Sequence, residues 1–396
     1  MTESTEVVVI GGGYAGVMAA NRLTRRDDVT VTLINPRPSF VHRIRLHQVV
    51  RGSHDAVVEY REILARSVRL VVDTATRIDA ADRVVTLASG GTVHYDYLIY
   101  AVGSGSADPR VPGAAEFAYP AATLEEARRL RSALAATPAT APVTVVGGGA
   151  TGIEIAAELA EEGRTVSLVC GGALGTYLHP RGRRSVARQL ARLGVTVLEG
   201  PDTKVTAVTR DAVRLADGRA LPSEVTVWTA GFGVPDLAKR SGLTTDAAGR
   251  LLTDETLTSV DDTRIVAAGD SAAPSDLPLR MSCQSATPLG AHAADTVVNR
   301  ISGERPATID IGFFGQCIAV GSRGATVQLA SRDDTVKKFY IGGRLASMIK
   351  QSALKNLVGH LADEARKPGS YSWAFKDAKR RQVTRARHGD ALTADR

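Results

Sequence analysis

Val7 to Ile10 is an unbroken run of β-branched residues. A continuous apolar run of this kind suits a parallel strand covered on both faces. Gly11-Gly12-Gly13-Tyr14-Ala15-Gly16 follows, then an Ala-rich stretch to about Arg25 that reads as a helix, then a second strand from Val29 to Asn35. The same order returns 136 residues later. Pro142 to Val146 reads as a strand, Gly147-Gly148-Gly149-Ala150-Thr151-Gly152 as a turn, Ile153 to Glu162 as a helix and Thr165 to Cys170 as a strand. Two strand–turn–helix–strand units, each of about 30 residues, predict two α/β units built on parallel sheets.

Elsewhere the pattern changes. Ala115 to Ala141 is rich in Ala, Leu, Glu and Arg and reads as a helix closed by the linker Thr137 to Pro142. Ile311 to Leu329 alternates as antiparallel strands do. Gly342 to about Glu364 reads as helix, with apolar positions at Leu345, Met348 and Ile349 and later at Leu354, Leu357, Val358 and Leu361. The phase slips midway, which predicts two short helices as readily as one long one.

At 396 residues the chain exceeds one ordinary core and implies two or three domains. Cys170, Cys283 and Cys317 fit neither a disulfide framework nor a zinc pattern, so no metal is expected. The polar opening, Met1 to Glu6, does not resemble a signal peptide, and no apolar run reaches the ~18 residues of a membrane span. A reducing, cytoplasmic location is the default expectation. Residues 337–396 hold 14 Lys/Arg against 5 Asp/Glu, which leaves 1–336 at −2 of the chain's +7. Such a basic segment suits an anionic membrane surface, nucleic acid or an acidic partner, or simply a solvated tail. It lacks the aromatic interleaving of single-strand binders, which counts against nucleic acid.

The glycine turns carry the first chemistry. Gly11 permits the tight turn, Gly13 lets backbone approach a pyrophosphate, and Gly16 lets helix and strand close-pack; Gly147, Gly149 and Gly152 repeat those roles. The pyrophosphate would face the free N–H groups of the helix start, at Tyr14 and Ala15 in one copy and Ala150 and Thr151 in the other. An acid is expected about 20 residues on, to hold a ribose. Asn35 stands there in the first unit, followed by Pro36 and Arg37, and Cys170 in the second. Without an acid at the second site a 2′-phosphate is not repelled, and Arg181, Arg183 and Arg184 follow, so NADH and NADPH are equally open.

Three further segments bear a family likeness. Tyr95 to Ser104, containing Ala101-Val102-Gly103, and Arg264 to Asp270, ending in Gly269-Asp270, are strands closing in small-residue turns. Thr229-Ala230-Gly231-Phe232 is a similar turn. Over about residues 6–300 the chain resembles the flavoproteins with two dinucleotide-binding domains, the pyridine nucleotide–flavin oxidoreductases. The resemblance implies an α/β fold of two Rossmann-like domains, the second inserted in the first, plus a C-terminal α+β region. It divides the chain into an FAD-binding domain (1–112 and 247–304), an NAD(P)H-binding domain (113–246) and a C-terminal domain with the basic tail (305–396). Asp270 would hold the ribityl chain of FAD, and Thr76 and Arg77 are assigned to the same cofactor.

The disulfide reductases of this group carry a Cys-x4-Cys pair where Phe40 to Gln48 stand here without cysteine. The whole chain is more similar to type II NADH:quinone oxidoreductases and to apoptosis-inducing-factor-like and ferroptosis-suppressor-like quinone reductases. That resemblance places Glu154 near the flavin–nicotinamide contact and Gln284 in the acceptor pocket, where Pro288 and Leu289 replace a glutamine pair of the type II enzymes. His42, Arg43, Arg45 and His47 should pass near the flavin, Arg43 or Arg45 binding phosphate or reduced flavin and His47 relaying a proton. Cys170 and Cys317 are expected to be packing residues, His292 structural, and Cys283 close to the flavin. The activity implied is electron transfer from NAD(P)H through FAD to a quinone, with reduction of a protein carrier or redox-gated partner binding as alternatives. A peripheral contact of the basic C-terminus with the cytoplasmic face of a membrane goes with the quinone reading; whether the chain is a homodimer is open.

Overall fold

The structure is a computed structural model that describes residues 4–386. The strand Thr5–Ile10 is the centre of a five-stranded, wholly parallel sheet in the order Ile265–Ala267, Tyr97–Tyr100, Thr5–Ile10, Val29–Asn35, Arg69–Val72. Val7 to Ile10 are all buried, as a strand covered on both faces requires. A second five-stranded parallel sheet runs Ala118–Pro120, Val225–Trp228, Pro142–Val146, Thr165–Val169, Thr196–Leu198. All its strands fall, in sequence, between Tyr97–Tyr100 and Ile265–Ala267, which pair with each other in the first sheet. The second α/β unit is therefore inserted into the first.

Helix Tyr14–Leu23 follows the first glycine turn and helix Ala150–Glu161 the second. Helix Cys283–Ile301 lies so close to Tyr14–Leu23 that a Cβ on Gly290 would fall on the Ala15 carbonyl. Each unit also carries a three-stranded antiparallel sheet: Ala75–Asp79, Val84–Leu87 and Thr92–His94 in one, Val205–Val208, Ala212–Leu215 and Ala220–Pro222 in the other. The C-terminal part is the antiparallel sheet Gly315–Ala319, Ala325–Ala330, Val336–Gly342, followed by one helix, Gly343–Arg366.

Two expectations change. The stretch Ala115 to Ala141 is not one helix: it contains the edge strand Ala118–Pro120 before helix Leu124–Ala135. Pro120 cannot sit in a helix interior, and a capping box starts the helix anew. Thr123 Oγ1 accepts the Glu126 N–H at 3.2 Å, and the Glu126 carboxylate accepts the Thr123 N–H at 2.9 Å. The C-terminal helix, in turn, is unbroken. Its inward stripe is Ala346, Lys350, Leu354, Leu361 and Glu364, and Leu345, Met348 and Ile349 lie on another face, at 58%, 70% and 36% exposure. The phase slip records a change of apolar face, because a lysine occupies the inward position.

The tail beyond this helix packs back on the body. Glu364 accepts the N–H groups of Gly369 and Tyr371, both at 2.7 Å, and pairs with Arg22 at 3.3 Å. Trp373 donates its indole N–H to the Gly312 carbonyl at 2.9 Å and stacks with Phe375 and Phe314. The last ten residues of the basic segment, 387–396, lie outside the described residues.

Candidate active site

The two glycine turns are built alike. Gly11 and Gly147 have φ of +105° and +120°, a conformation that favours glycine. A Cβ on Gly16 would strike the Gly11 carbonyl, and one on Gly152 the Gly147 carbonyl. Gly13 and Gly149 differ: both are extended, and a Cβ on either would meet nothing within 4 Å. The space in front of each helix N-terminus is thus open where a pyrophosphate would approach.

Three further segments converge on the first turn. Arg43 donates to the Ser104 carbonyl at 2.6 Å and its hydroxyl at 2.9 Å, and Ser104 Oγ donates to Asp270 at 2.7 Å. Asp270 also accepts the Ser282 N–H at 3.1 Å, just before helix Cys283–Ile301. Ala101 closes on the turn, since a Cβ on Gly11 would strike its carbonyl; Val102 and Gly103 lead on to Ser104. Gly269 is left-handed at φ +71° beside Ala15. The return turn Ala230-Gly231 brings Phe232 to 5.7 Å from the Arg43 guanidinium.

Some sequence-assigned residues are engaged inside the protein. Asn35 is buried; its Oδ1 accepts the Gly12 N–H at 2.9 Å and its Nδ2 donates to the Arg37 carbonyl at 2.8 Å, across Pro36. It braces the loop that would hold a ribose. Arg37 forks onto Glu125 at 2.5 and 2.7 Å, joining the first unit to the second. Thr76 and Arg77 lie on strand Ala75–Asp79, where Arg240 caps the Thr76 carbonyl at 3.1 Å. Arg45 donates to Gln48 at 2.7 Å. The helix with Arg181, Arg183 and Arg184 packs on the C-terminal sheet, a Cβ on its Gly182 falling on Gln328. Lys204, in contrast, has its Cα 3.7 Å from the Cβ position of Gly171, next to Cys170.

The second cluster is held by four chain segments. Glu154, on helix Ala150–Glu161, is buried and forms an ion pair with Lys350 of the C-terminal helix. The same carboxylate accepts the Ala319 N–H at 2.9 Å and lies 3.4 Å from His47 Nδ1, on helix Leu46–Arg51. Burial alone would raise the Glu154 pKa, but Lys350, His47 and the Ala319 N–H overcome it and hold the carboxyl below its ordinary range. No sequence motif marks Lys350, although its place in an i, i+4 stripe with Ala346 and Leu354 is that of an inward-facing residue.

His47 behaves otherwise than expected for a group titrating near neutrality. Burial, only partly offset by Glu154, pushes its pKa down to about 4. His42 is pushed to about 3 by burial and by Arg45. Each is neutral at pH 7. Their folded values lie below the unfolded ~6.5, so the stability they supply is present above pH ~6.5 and lost as pH falls towards 4 and 3. Melting temperature should fall between pH 7 and 4.5, and fall less in His47→Gln; an equal fall in both proteins would contradict this. The thiols are likewise held protonated by burial, Cys283 and Cys317 at about 11 and Cys170 at about 12. None is a thiolate nucleophile at neutral pH. His292 Nε2 donates to the Ala307 carbonyl, 2.9 Å away.

Whether these residues fit a flavin can be tested on buried polar atoms. His42 Nε2, Gln284 Oε1 and the Tyr177 hydroxyl are buried without a hydrogen-bond partner, a costly state in a finished core. His42 bonds Tyr14, the first residue of the glycine helix, at 3.3 Å. Gln284 follows the segment that binds Asp270, and Tyr177 follows Gly175, whose N–H donates to Gly148 at 2.8 Å. All three lie on segments next to the two turns, and one acceptor (Gln284 Oε1) with two groups that can donate or accept (His42 Nε2, Tyr177 hydroxyl) fits a polar ring system between them.

Residues 5–294 match the model of the pyridine nucleotide-disulphide oxidoreductases. The chain belongs to that family. Over 353 residues it is 32% identical to an NADH dehydrogenase-like protein of Mycobacterium tuberculosis, covering 81% of this chain and 87% of that one. It is 28% identical over 346 residues to the type II NADH:quinone oxidoreductase Ndh of the same organism, covering 76% and 74%. The sulfide:quinone oxidoreductase of Aquifex aeolicus, at 20% identity, shares the fold with a TM-score of 0.77 over 92% of this chain and 93% of that one. The chain is accordingly an oxidoreductase that binds FAD and takes electrons from a pyridine nucleotide. No helix among the described residues is long and apolar enough to cross a membrane.

Proposed function

We propose that this family member is an NAD(P)H:quinone oxidoreductase. Gly11, Gly13 and Gly16 with Asp270 and Arg43 hold FAD; Gly147, Gly149 and Gly152 hold the nicotinamide coenzyme. Bound FAD supplies the two-electron chemistry, and the protein supplies position and charge. The observation that carries the reading is the buried Glu154–Lys350–His47 cluster beside the second turn, in a chain whose thiols are all held protonated. The Lys350 ammonium, oriented by the Glu154 carboxylate, is a group that can give a proton to a reduced quinone and is of no use to disulfide exchange. The relatives named as quinone oxidoreductases support the acceptor class. Gln284, with its free carbonyl oxygen, is assigned to the acceptor side. The division into FAD (1–112 and 247–304), nicotinamide (113–246) and C-terminal (305–396) domains belongs to the same proposal.

The experiment is an anaerobic titration of the yellow protein with NADH and NADPH, followed by a short-chain quinone. Bleaching by one coenzyme and prompt recovery of colour with quinone is expected. A bleached flavin that passes electrons to a protein carrier and not to quinone would overturn the acceptor.

The membrane contact is assigned to a different residue set than the tail alone. Leu345, Met348 and Phe339 are 58%, 70% and 59% exposed, and Lys337, Lys338 and Arg344 flank them. An apolar stripe rimmed by lysines and arginines supports docking on the anionic cytoplasmic face of a membrane. Leu345→Glu/Met348→Glu should lose flotation with phosphatidylglycerol vesicles while keeping its flavin spectrum. Undiminished flotation would sink the assignment.

A further inference from the structure

His42 is 2% exposed, and its Nε2 is buried without a hydrogen-bond partner. The residue is held firmly. Its backbone N–H donates to the Ala56 carbonyl at 2.8 Å, and its carbonyl accepts the Arg45 N–H at 2.8 Å. The imidazole stands edge-on to Tyr14, centroids 6.0 Å apart, and lies 6.4 Å from Phe40. A buried ring nitrogen fixed in this way is costly unless something meets it.

The surroundings decide which form of the ring is present. The Ile44 backbone N–H faces the Tyr14 oxygen as a donor. Among the described residues the Tyr14 hydroxyl proton has one acceptor, His42 Nδ1 at 3.3 Å. Tyr14 therefore donates and Nδ1 accepts. Burial, with Arg45 and His54 nearby, pushes the His42 pKa down to about 3 and keeps the ring uncharged. An uncharged imidazole has one N–H, and with Nδ1 accepting, that proton is on Nε2. The unpartnered atom is thus a donor, and what it lacks is an acceptor.

The neighbours indicate which acceptor. Tyr14 is the first residue of the helix after the first glycine turn. Arg43, next to His42, is bonded to Ser104 and through it to Asp270. A phosphate at this turn is met by the free N–H groups of the helix start. A neutral donor set in an aromatic wall suits a planar heteroaromatic ring instead. We infer that His42 donates its Nε2–H to an acceptor atom of the flavin ring and so holds the reduced ring more tightly than the oxidised one. The inference rests on FAD lying at the first turn and not on the identity of the electron acceptor. Reduction transfers a hydride, two electrons and one proton, from NAD(P)H to the ring and releases NAD(P)⁺. The ring thereby gains negative charge, and a hydrogen bond to a charged acceptor is roughly twice as strong as one to a neutral acceptor. A donor oriented in advance by Tyr14 needs no rearrangement as that charge develops.

The test uses the FAD-loaded protein. His42→Phe keeps a ring beside Tyr14 and Phe40 and removes the donor. Affinity for reduced relative to oxidised FAD should fall ~10-fold, read as a reduction potential lower by about 30 mV, and the visible absorption bands should shift. His42→Gln, which offers an amide N–H, should restore most of the potential. Nitrogen-15 NMR of histidine-labelled wild type should show His42 neutral with its proton on Nε2. If His42→Phe does not fold, Tyr14→Phe serves in its place: it frees Nδ1 to take the proton, and the potential should fall by a smaller amount. An unchanged potential and spectrum, or a proton found on Nδ1, would overturn the inference. So would weaker FAD binding at an unchanged potential, which places the donor on the ribityl–pyrophosphate part, or a raised KM for quinone alone, which places it on the second substrate. A Gly13→Val protein that stays yellow overturns the placement of FAD and this inference with it. A colourless Gly13→Val protein together with an unshifted potential in His42→Phe overturns this inference alone.

Discussion

Lys350→Met should destabilise the protein by about 3–5 kcal/mol at neutral pH, the usual cost of leaving a buried charge without its partner. It should also slow quinone-driven reoxidation far more than flavin reduction. Glu154 would lose its main counter-charge while remaining buried and bonded to the Ala319 N–H. In the wild type the Glu154 pKa is below its unfolded value, so the stability it contributes is present above pH ~4.5 and lost as pH falls. In the variant, burial dominates and the folded pKa lies above the unfolded one, so its contribution turns unfavourable as pH rises. The difference in stability between the two proteins should therefore shrink as pH drops from 7 to below ~4.5. Denaturant melts at several pH values read this directly, and a pH-independent difference would show that Lys350 acts through packing alone. Glu154→Gln in the Lys350→Met background should recover much of the lost stability and none of the reoxidation rate.

Gly13→Val and Gly149→Val should separate the two dinucleotide sites. Both glycines sit in extended backbone, φ −84° and −79°, which valine adopts readily, and a Cβ at either meets no protein atom within 4 Å. Each variant should fold normally. Gly13→Val is expected to emerge colourless, its affinity for FAD weakened at least ~100-fold, or about 2.8 kcal/mol. Gly149→Val should keep its yellow colour and lose affinity for NADH and NADPH by a similar factor. The readouts are the flavin absorbance per protein and the coenzyme concentration needed for half-bleaching. A yellow Gly13→Val protein would place the pyrophosphate elsewhere. Gly16→Ala and Gly152→Ala, by contrast, should fail by misfolding, because their Cβ atoms strike backbone carbonyls.

The parallel architecture was legible because local and global demands agree. Val7 to Ile10 suits a doubly covered strand, the glycine turns recur with the same spacing, and the strands flanking those turns, Thr5–Ile10, Val29–Asn35, Pro142–Val146 and Thr165–Val169, are rich in β-branched residues. The strand Ala118–Pro120 escaped notice: three residues are too few to set a period, and the helix-forming composition around it dominates. The capping box at Thr123 and Glu126 was the available sign that the helix begins late.

What the amino-acid sequence determined by itself is therefore the pair of nucleotide-binding units and the absence of a cysteine pair, because glycine spacing and residue type are local properties; the candidacy of Glu154 and His47 came from the family resemblance. The tertiary structure decided the charge state and company of those side chains. Lys350, nearly two hundred positions from Glu154, becomes its counter-ion only when the C-terminal helix lies against the second unit. His47 turns from a neutral-pH titrator into a group with a pKa of about 4 only when folding removes it from water. Desolvation and long-range pairing depend on what surrounds an atom in three dimensions, and no spacing along the chain encodes them.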